Sequence, residues 1–240
     1  ANKLIKLGCK VTILGLIGND VNGATMRSQL KKNRIQNELI EIHSFPTISK
    51  TRIVSNGHQI CRVDHEEPFN DNVELLDLLV NKNINYSKFD ILILSDYNKG
   101  FIDSEVSQFL IKVFSESNKK VIVDPKKKDW RLYRYASCIT PNFKEFSELV
   151  DNPKDELDTI IHEARIIIKK FKLESLLITR SEKGMVWVDH TDFINIKAKA
   201  KEVFDVSGAG DTVIATLAAS YAKGLDINKS LHLANIAAGI

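Results

Sequence analysis

Short runs of Ile, Leu and Val, separated by segments with helical patterns, constrain the fold of this chain most. The apolar runs are residues 11–18, 89–96, 120–124 and 175–181. Their length and composition are typical of strands that are buried on both faces. The helical patterns are residues 20–33, 71–83, 103–117, 143–150 and 154–171. This alternation predicts an α/β fold with a doubly wound, mostly parallel sheet, whose ligands bind where the strands end.

Two segments depart from this alternation. Residues 50–67 hold two strand-like runs joined by Asn56-Gly57, a two-residue signal for a β-hairpin. We therefore predict a small β-flap lid over residues 46–67, inserted in a single domain of residues 1–240. Residues 184–198 are predicted to form antiparallel strands at an edge of the sheet.

Composition excludes several classes of function. The 240 residues carry a net charge of only +3, which gives no electrostatic reason to bind nucleic acid or a membrane surface. No apolar run approaches the roughly 18 residues of a membrane span. The three cysteines, Cys9, Cys61 and Cys138, are far apart and form no C-x-x-C motif, so we expect reduced, buried thiols and a cytoplasmic protein. The chain lacks an initiator Met and stops within a helical pattern, and we expect truncation at both ends.

The segment DVSGAGD, residues 205–211, directly precedes a long helical pattern. Gly208 and Gly210 permit tight turns. The backbone N–H groups of Gly208, Ala209 and Gly210, at the start of the helix, would form an anion hole. Asp211 beside such a hole suits a general base that takes a proton from a substrate hydroxyl. The alternative for Asp211 is stabilisation of the helix dipole. Asp205 is equally compatible with ordering the turn and with contacting magnesium.

DVSGAGD resembles the D-x-x-G-A-G-D signature of the ribokinase-like (PfkB) carbohydrate kinase family. Asn142–Glu145, N-F-K-E, resembles the family's N-x-x-E motif, and Thr179–Gly184 resembles T-x-G-x-x-G with Ser181 in place of the first glycine. Residues 95–100 (SDYNKG), 124–126 (DPK) and the flap are similar to the heptose 7-phosphate kinase branch, which includes the kinase half of bifunctional heptose kinase/adenylyltransferases. The similarity covers nearly all of the chain. The family's sugar-holding G-G-x-x-x-N-x-A segment would end about where the chain begins.

The resemblance implies an ATP- and Mg²⁺-dependent kinase. Its expected reaction transfers the γ-phosphate to O1 of D-glycero-D-manno-heptose 7-phosphate, a precursor of the lipopolysaccharide core, with Asp211 as the base. A monovalent cation is a further candidate cofactor. A kinase for another sugar or sugar phosphate, and a catalytically silent sugar-binding protein on the same fold, remain alternatives. A nicotinamide dehydrogenase is disfavoured because no G-x-G-x-x-G fingerprint is present.

The resemblance also assigns the nucleotide site. ATP-binding residues would be Asn142, Phe143, Lys144, Glu145, Thr179, Ser181 and Gly184. Asn142 and Glu145 would hold the metal through intervening water molecules. Spacing alone favours a capping box at Asn142 and Glu145, and the two roles are compatible. An ordinary connection between strands is the alternative for residues 179–184.

The substrate side is predicted from strand ends and from the flap. Asp96 and Lys99 follow one strand and Lys126 follows the next, although solvated lysines would look the same in sequence. A two-residue turn at Asn56-Gly57 would pair Thr51 with Arg62 and Arg52 with Cys61, which directs the arginines to opposite faces. Of the two, we favour Arg52 for binding the 7-phosphate. The lid is also expected to form a homodimer interface, as in relatives of the family.

Overall fold

The computed structural model describes residues 1–55, 58–67, 74–151, 153–198 and 208–239. The chain forms two compact units. The first comprises Ala1–Asn83 with Lys99–Phe101, and the second comprises Ile84–Asn98 with Ile102–Ile240. Among the described residues, no helix has the length and apolar character needed to cross a bilayer.

The first unit is built from short elements around a small apolar core. In chain order they are α1 (Asn2–Lys6), β1 (Thr12–Ile13), β2 (Leu16–Gly18), α2 (Val21–Lys32), β3 (Gln36–Asn37), β4 (Ile40–Ile42), β5 (Ser49–Ser55), β6 (His58–His65) and α3 (Leu75–Asn81). Its core includes the buried side chains of Ile17, Leu30, Ile35 and Leu39. This core attaches α2 to the strands on either side of it in sequence.

The run at residues 11–18 does not form one strand of the main sheet, so that prediction is wrong. It is divided into β1 and β2, which pair in parallel with β3 and β4 in two separate two-stranded sheets. Gly15 lies between the two short strands, and its carbonyl accepts a hydrogen bond from the N–H of Ile40 at 2.8 Å. Only Ile17 and Gly18 of the run are buried and the rest is half-buried, because the run lies in two small sheets whose strands the apolar pattern does not identify.

Asp20 is the N-cap of α2. Its Oδ1 accepts from the N–H of Gly23 and its Oδ2 from the N–H of Thr47, each at 2.7 Å. These hydrogen bonds, that of Gly23 foremost, lower the pKa of Asp20. A Cβ at Gly18 would lie 2.3 Å from the carbonyl oxygen of Phe45, so only glycine fits there.

The flap forms the predicted hairpin from β5 and β6, but its register differs from the prediction. Thr51 pairs with Val63 and Arg52 pairs with Arg62, because a β-bulge between Ile53 and Val54 shifts the register by one residue. The two arginines therefore lie side by side on one face. The predicted Asn56-Gly57 turn lies outside the described residues.

The second unit contains the sheet that the alternation predicted. Its strands are β7 (Ile91–Ser95), β8 (Lys120–Asp124), β9 (Cys138–Ile139), β10 (Ser175–Thr179), β11 (Met185–Asp189) and β12 (Phe193–Ile196). They lie in the order β12-β11-β10-β9-β8-β7, with β7 to β10 parallel and β11 and β12 antiparallel at the edge. The α/β class and the mostly parallel sheet are confirmed, and β9 is a short strand that the sequence did not reveal.

Helices cover this sheet. They are α4 (Ser104–Glu116), α5 (Phe143–Ser147), α6 (Leu157–Phe171), α7 (Ala209–Ala222) and α8 (Ile227–Ala238), with 3₁₀ helices at Tyr86–Lys88, Trp130–Tyr133 and Ser181–Lys183. Helices α4 and α7 contact β7 and β8, and α6 contacts β10 and β11. The cysteines are free as expected, but Cys61 is exposed because it lies on the hairpin, so the prediction that it is buried is wrong.

Candidate active site

The candidate site lies at the carboxyl ends of the parallel strands. Strands β7 and β8 end side by side, with Ser95 paired to Asp124, and Asn142 forms a bridge with Thr179 at the end of β10. The N–H of Thr179 also donates to the carbonyl of Pro141 at 3.0 Å. Segments that are distant in sequence thus meet at the sheet edge where ligands of open α/β sheets bind.

Acidic groups gather around Asp124. Burial raises the pKa of Asp124 to about 7, and the negative charges of Glu145 and Asp211 add to the effect. Lys126 and a hydrogen bond from Ser95 oppose the shift without cancelling it. The site therefore has an excess of negative charge that a cation would relieve. Asp124 is the first residue of the DPK segment, but the sequence alone assigns it no role, because its neighbours in space come from separate segments.

The N-x-x-E motif forms a complete capping box at the start of α5. Oδ1 of Asn142 accepts from the N–H of Glu145 at 2.9 Å, and Oε2 of Glu145 accepts from the N–H of Asn142 at 3.0 Å. The other oxygen of Glu145, Oε1, pairs with Nζ of Lys126 at 2.9 Å. This hydrogen bond is the main cause that raises the pKa of Lys126. Phe143 and Lys144 follow within the first turn of α5.

The N-terminus of α7 has no side-chain cap among the described residues. Gly208, the N-cap, has φ of +83°, which glycine adopts without strain. Ala209, Gly210 and Asp211 form the first turn, and a Cβ built on Gly210 would meet nothing within 4 Å. Asp211 is exposed, yet it is near enough to Asp124 to raise the pKa of that carboxyl. Residues 205–207 of the motif lie outside the described part of the chain.

The Thr179–Gly184 segment forms a tight loop between β10 and β11. Ser181 has φ of +50°, in the left-handed region that glycine favours, at the position where the family motif has a glycine. Arg180 anchors the loop through Nε to Oδ1 of Asp155 at 2.7 Å. At Gly184, a Cβ would lie 2.0 Å from the carbonyl oxygen of Ile196. Gly184 is therefore required by packing, whatever its role toward a nucleotide.

The predicted substrate residues have different surroundings. Asp96 is only 3% exposed, and its carboxylate is held by Tyr133 and by the N–H of Asn98, an arrangement that favours an internal role. Within the first unit, Lys99 pairs with Glu66 at 2.5 Å and lowers the pKa of that carboxyl. Arg52 is exposed and makes no ion pair with another described residue.

No cluster of three or more His, Cys, Asp or Glu side chains within the described ranges has the arrangement of a direct metal site. Asp124 and Glu145 nevertheless suit Mg²⁺, which is commonly bound through one or two carboxylates and keeps several waters. The raised pKa of Asp124, which burial causes first, also reflects the nearby negative charges of Glu145 and Asp211 and so supports this fit.

Comparison with known proteins decides the family. The pfkB family of carbohydrate kinases matches residues 1–240. The chain belongs to this family. Membership confirms the expected class of enzyme, a phosphotransferase acting on a sugar hydroxyl.

Relatives narrow the resemblance within the pfkB family. The bifunctional protein HldE of Haemophilus influenzae (strain Rd) is 40% identical over 241 residues, with 100% of this chain and 50% of the relative covered. HldE of Pseudomonas aeruginosa (strain PAO1) is 39% identical over 241 residues, with the same coverage. The chain thus spans about half the length of the curated relatives it matches.

Solved structures show the pfkB fold independently. Phosphofructokinase-2 from Escherichia coli in complex with potassium superimposes with a TM-score of 0.80 at 18% identity, covering 100% of this chain and 78% of that one. Ribokinase of Arabidopsis thaliana, complexed with ribose and ATP, gives a TM-score of 0.77 at 19% identity with 100% and 78% covered. The ribokinase-like fold predicted from the sequence is confirmed.

Proposed function

We propose that this chain is the kinase part of an enzyme that transfers the γ-phosphate of ATP to O1 of D-glycero-D-manno-heptose 7-phosphate. The observation that carries the chemistry is the meeting of Asp211, Asp124, Glu145 and Lys126 at one sheet edge, beside the N-terminus of α7. The choice of sugar rests on the 40% identity to HldE along the whole chain and on the SDYNKG and DPK segments. The product would be a precursor of the lipopolysaccharide core.

In this proposal, Asp211 removes the proton from the O1 hydroxyl as that oxygen forms a bond to the γ-phosphorus. The bond from the γ-phosphorus to the bridging oxygen breaks, and ADP leaves. The N–H groups of Ala209 and Gly210 face the transferring phosphoryl group, where the positive end of the α7 dipole offsets its charge. Apart from the backbone of α7 itself, no described atom lies within 4 Å of a Cβ built on Gly210, which fits room for that group.

Asp124 and Glu145 would hold Mg²⁺, largely through water. Bound there, the ion supplies positive charge to the phosphate oxygens. Nζ of Lys126 donates to Oε1 of Glu145 at 2.9 Å, which holds the lysine at the site. Its ammonium is proposed to contact the nucleotide phosphates there. Thr179, at the end of β10, forms a bridge with Asn142. The backbone of Thr179 and of Ser181, two residues on, is proposed to contact the nucleotide.

We also propose the residues that bind the substrate and the way in which the whole protein assembles. Arg52, now beside Arg62 on one face of the hairpin, is proposed to bind the 7-phosphate with Lys99. Ile53, Val63 and Ile60 on the hairpin are about half or more exposed, which suits a lid that pairs with a second copy. A monovalent cation, an adenylyltransferase region and a cytoplasmic location follow from the resemblance alone.

A substrate panel tests the proposal. The complete gene product is incubated with Mg·ATP and each of several sugars and sugar phosphates, and the products are identified by ³¹P NMR. We expect a new anomeric phosphate on the heptose 7-phosphate and at least about tenfold lower kcat/KM for other sugars. Preference for another sugar phosphate would overturn the assigned substrate, and no ATP-dependent product at all would leave only the silent sugar-binding alternative.

A further inference from the structure

A buried hydrogen bond joins two strand-end loops of the second unit. The phenol O–H of Tyr133 donates to Oδ2 of Asp96 at 2.5 Å across 37 residues of sequence. Tyr133 is fully buried and Asp96 is 3% exposed. Tyr133 belongs to the 3₁₀ helix Trp130–Tyr133, and Asp96 directly follows β7.

The carboxylate of Asp96 is fully used within the protein. Its Oδ1 accepts from the N–H of Asn98 at 2.6 Å and closes a turn in which Asn98 has φ of +55°. The backbone N–H of Asp96 donates to the carbonyl of Asp124 at 3.0 Å. The turn after β7 is thereby fastened to the residue at the centre of the carboxylate cluster.

Tyr133 also lies beside the loop after β8. The backbone N–H groups of Lys127 and Lys126 are near enough to its phenol oxygen to oppose the rise of its pKa. Burial and the neighbouring Asp96 carboxylate raise the pKa of Tyr133, so the phenol stays protonated and remains a donor. A single side chain therefore bonds to the residue that forms the turn 96–98 and lies close to the backbone that carries Lys126.

We propose that Tyr133 and Asp96 are positioning residues, which act through Asp124 and Lys126 and do not contact the substrate. The proposal rests on the proposed kinase function. It replaces a substrate-binding role for Asp96 with an internal one. Loss of the phenol would leave a buried carboxylate oxygen without its donor, a costly state that the turn relieves by opening. Asp124 and Lys126 would then lose their fixed position.

Three substitutions separate positioning from direct contact. Tyr133→Phe removes only the hydroxyl, and Asp96→Ala removes the carboxylate. Asp96→Asn removes the charge and keeps both contacts, since its amide oxygen accepts from Asn98 and its NH₂ donates to the phenol. Tyr135→Phe is the matched control, because this phenol lies two residues away, is half exposed and accepts from Lys172 at 3.2 Å.

Steady-state kinetics of the complete protein give the first readout. We expect Tyr133→Phe and Asp96→Ala each to lower kcat by about tenfold and to raise the Mg²⁺ concentration for half-maximal rate, with the KM of the sugar changed less than about threefold. The double variant should lose no more than Asp96→Ala alone, because both remove one link. Asp96→Asn and Tyr135→Phe should stay within about threefold of the wild type. Equal losses in Asp96→Asn and Asp96→Ala, with Tyr133→Phe unaffected, would overturn the proposal and restore a substrate contact.

Hydrogen exchange gives a readout that does not need kinase activity. Without substrates, Tyr133→Phe should speed exchange in peptides covering residues 92–98 and 122–128, while a peptide covering β10 keeps its wild-type rate. Unchanged exchange in both loops would refute the link even if kcat fell. A wild-type enzyme that phosphorylates no sugar would refute the proposed function, and the exchange result would still decide whether Tyr133 holds the two loops.

Discussion

Helices α5 and α7 begin at the same sheet edge, but their N-termini differ in side-chain capping among the described residues. At α5, Asn142 and Glu145 bond to each other's backbone N–H and close the terminus. At α7, the described residues provide no side-chain cap, and glycines on both sides of Ala209 leave the first turn accessible. A capped terminus has satisfied its N–H groups internally, whereas an uncapped one offers them to an anion. The comparison fits the proposal that α5 supports the site and that α7 takes part in the reaction.

Removing the carboxylate at the open terminus should have the largest effect. Asp211→Asn is expected to lower kcat by about 10²–10⁴-fold, because the hydroxyl loses its proton acceptor. ATP affinity, measured by calorimetry, should survive. Asp158→Asn is the matched control, since Asp158 is the first-turn acid of α6. Near-normal turnover of Asp211→Asn would end the assignment of a base and leave only a role at the helix dipole.

A methyl group at the open terminus should separate stability from activity. Gly210→Ala places a Cβ where no atom lies within 4 Å, so the fold tolerates it. The free energy of unfolding should rise by up to about 1 kcal/mol, because alanine favours a helix. The rate should fall by about 10- to 100-fold, since the methyl displaces the phosphoryl group. A stable variant with full activity would show that the phosphate binds elsewhere.

The carboxyl between the two termini should make stability depend on pH. The pKa of Asp124 is raised from 3.8 to about 7 in the folded protein. Between these two pH values the folded state therefore binds more protons than the unfolded state. This contribution is fully present below about pH 4 and is lost as the pH rises through about 7, at a cost on the order of 4 kcal/mol for the metal-free protein.

The measurement is chemical denaturation of the metal-free protein at several pH values. Asp124→Asn should remove most of the decline, while Asp151→Asn, at a surface carboxyl, should keep it. An identical decline in Asp124→Asn and in the wild type would assign the effect to other groups.

Substitutions at the closed terminus should have the smallest effects and should divide its two roles. Glu145→Gln preserves the capping box, since glutamine also bonds the N-cap N–H, but it should raise the Mg²⁺ requirement about tenfold. Asn142→Ala should cost about 1 kcal/mol of unfolding free energy through the lost cap. Metal titrations and thermal unfolding measure the two. An unchanged metal requirement in Glu145→Gln would restrict α5 to a structural role.

The sequence revealed those parts of the site that depend on local patterns. DVSGAGD before a helix, N-F-K-E after a strand and the alternation of strands and helices each indicate local structure, and the structure has helix α7, helix α5 and the main sheet, while the run at residues 11–18 forms two short strands outside that sheet. Asp124 and Tyr133 were not assigned because their roles depend on neighbours from distant segments, such as Asp211 for one and Asp96 for the other. The register of the flap was wrong because a bulge near Ile53 is not encoded in the turn residues.

Ser181 shows what a glycine in a family signature stands for. The residue is not glycine, yet its φ of +50° lies in the left-handed region that glycine adopts most easily. Such a torsion in a residue with a side chain costs about 1 kcal/mol, which the anchoring of Arg180 by Asp155 helps to offset. A motif of this kind is therefore a requirement on backbone shape, and homologues that satisfy it with another amino acid escape any search that reads letters alone.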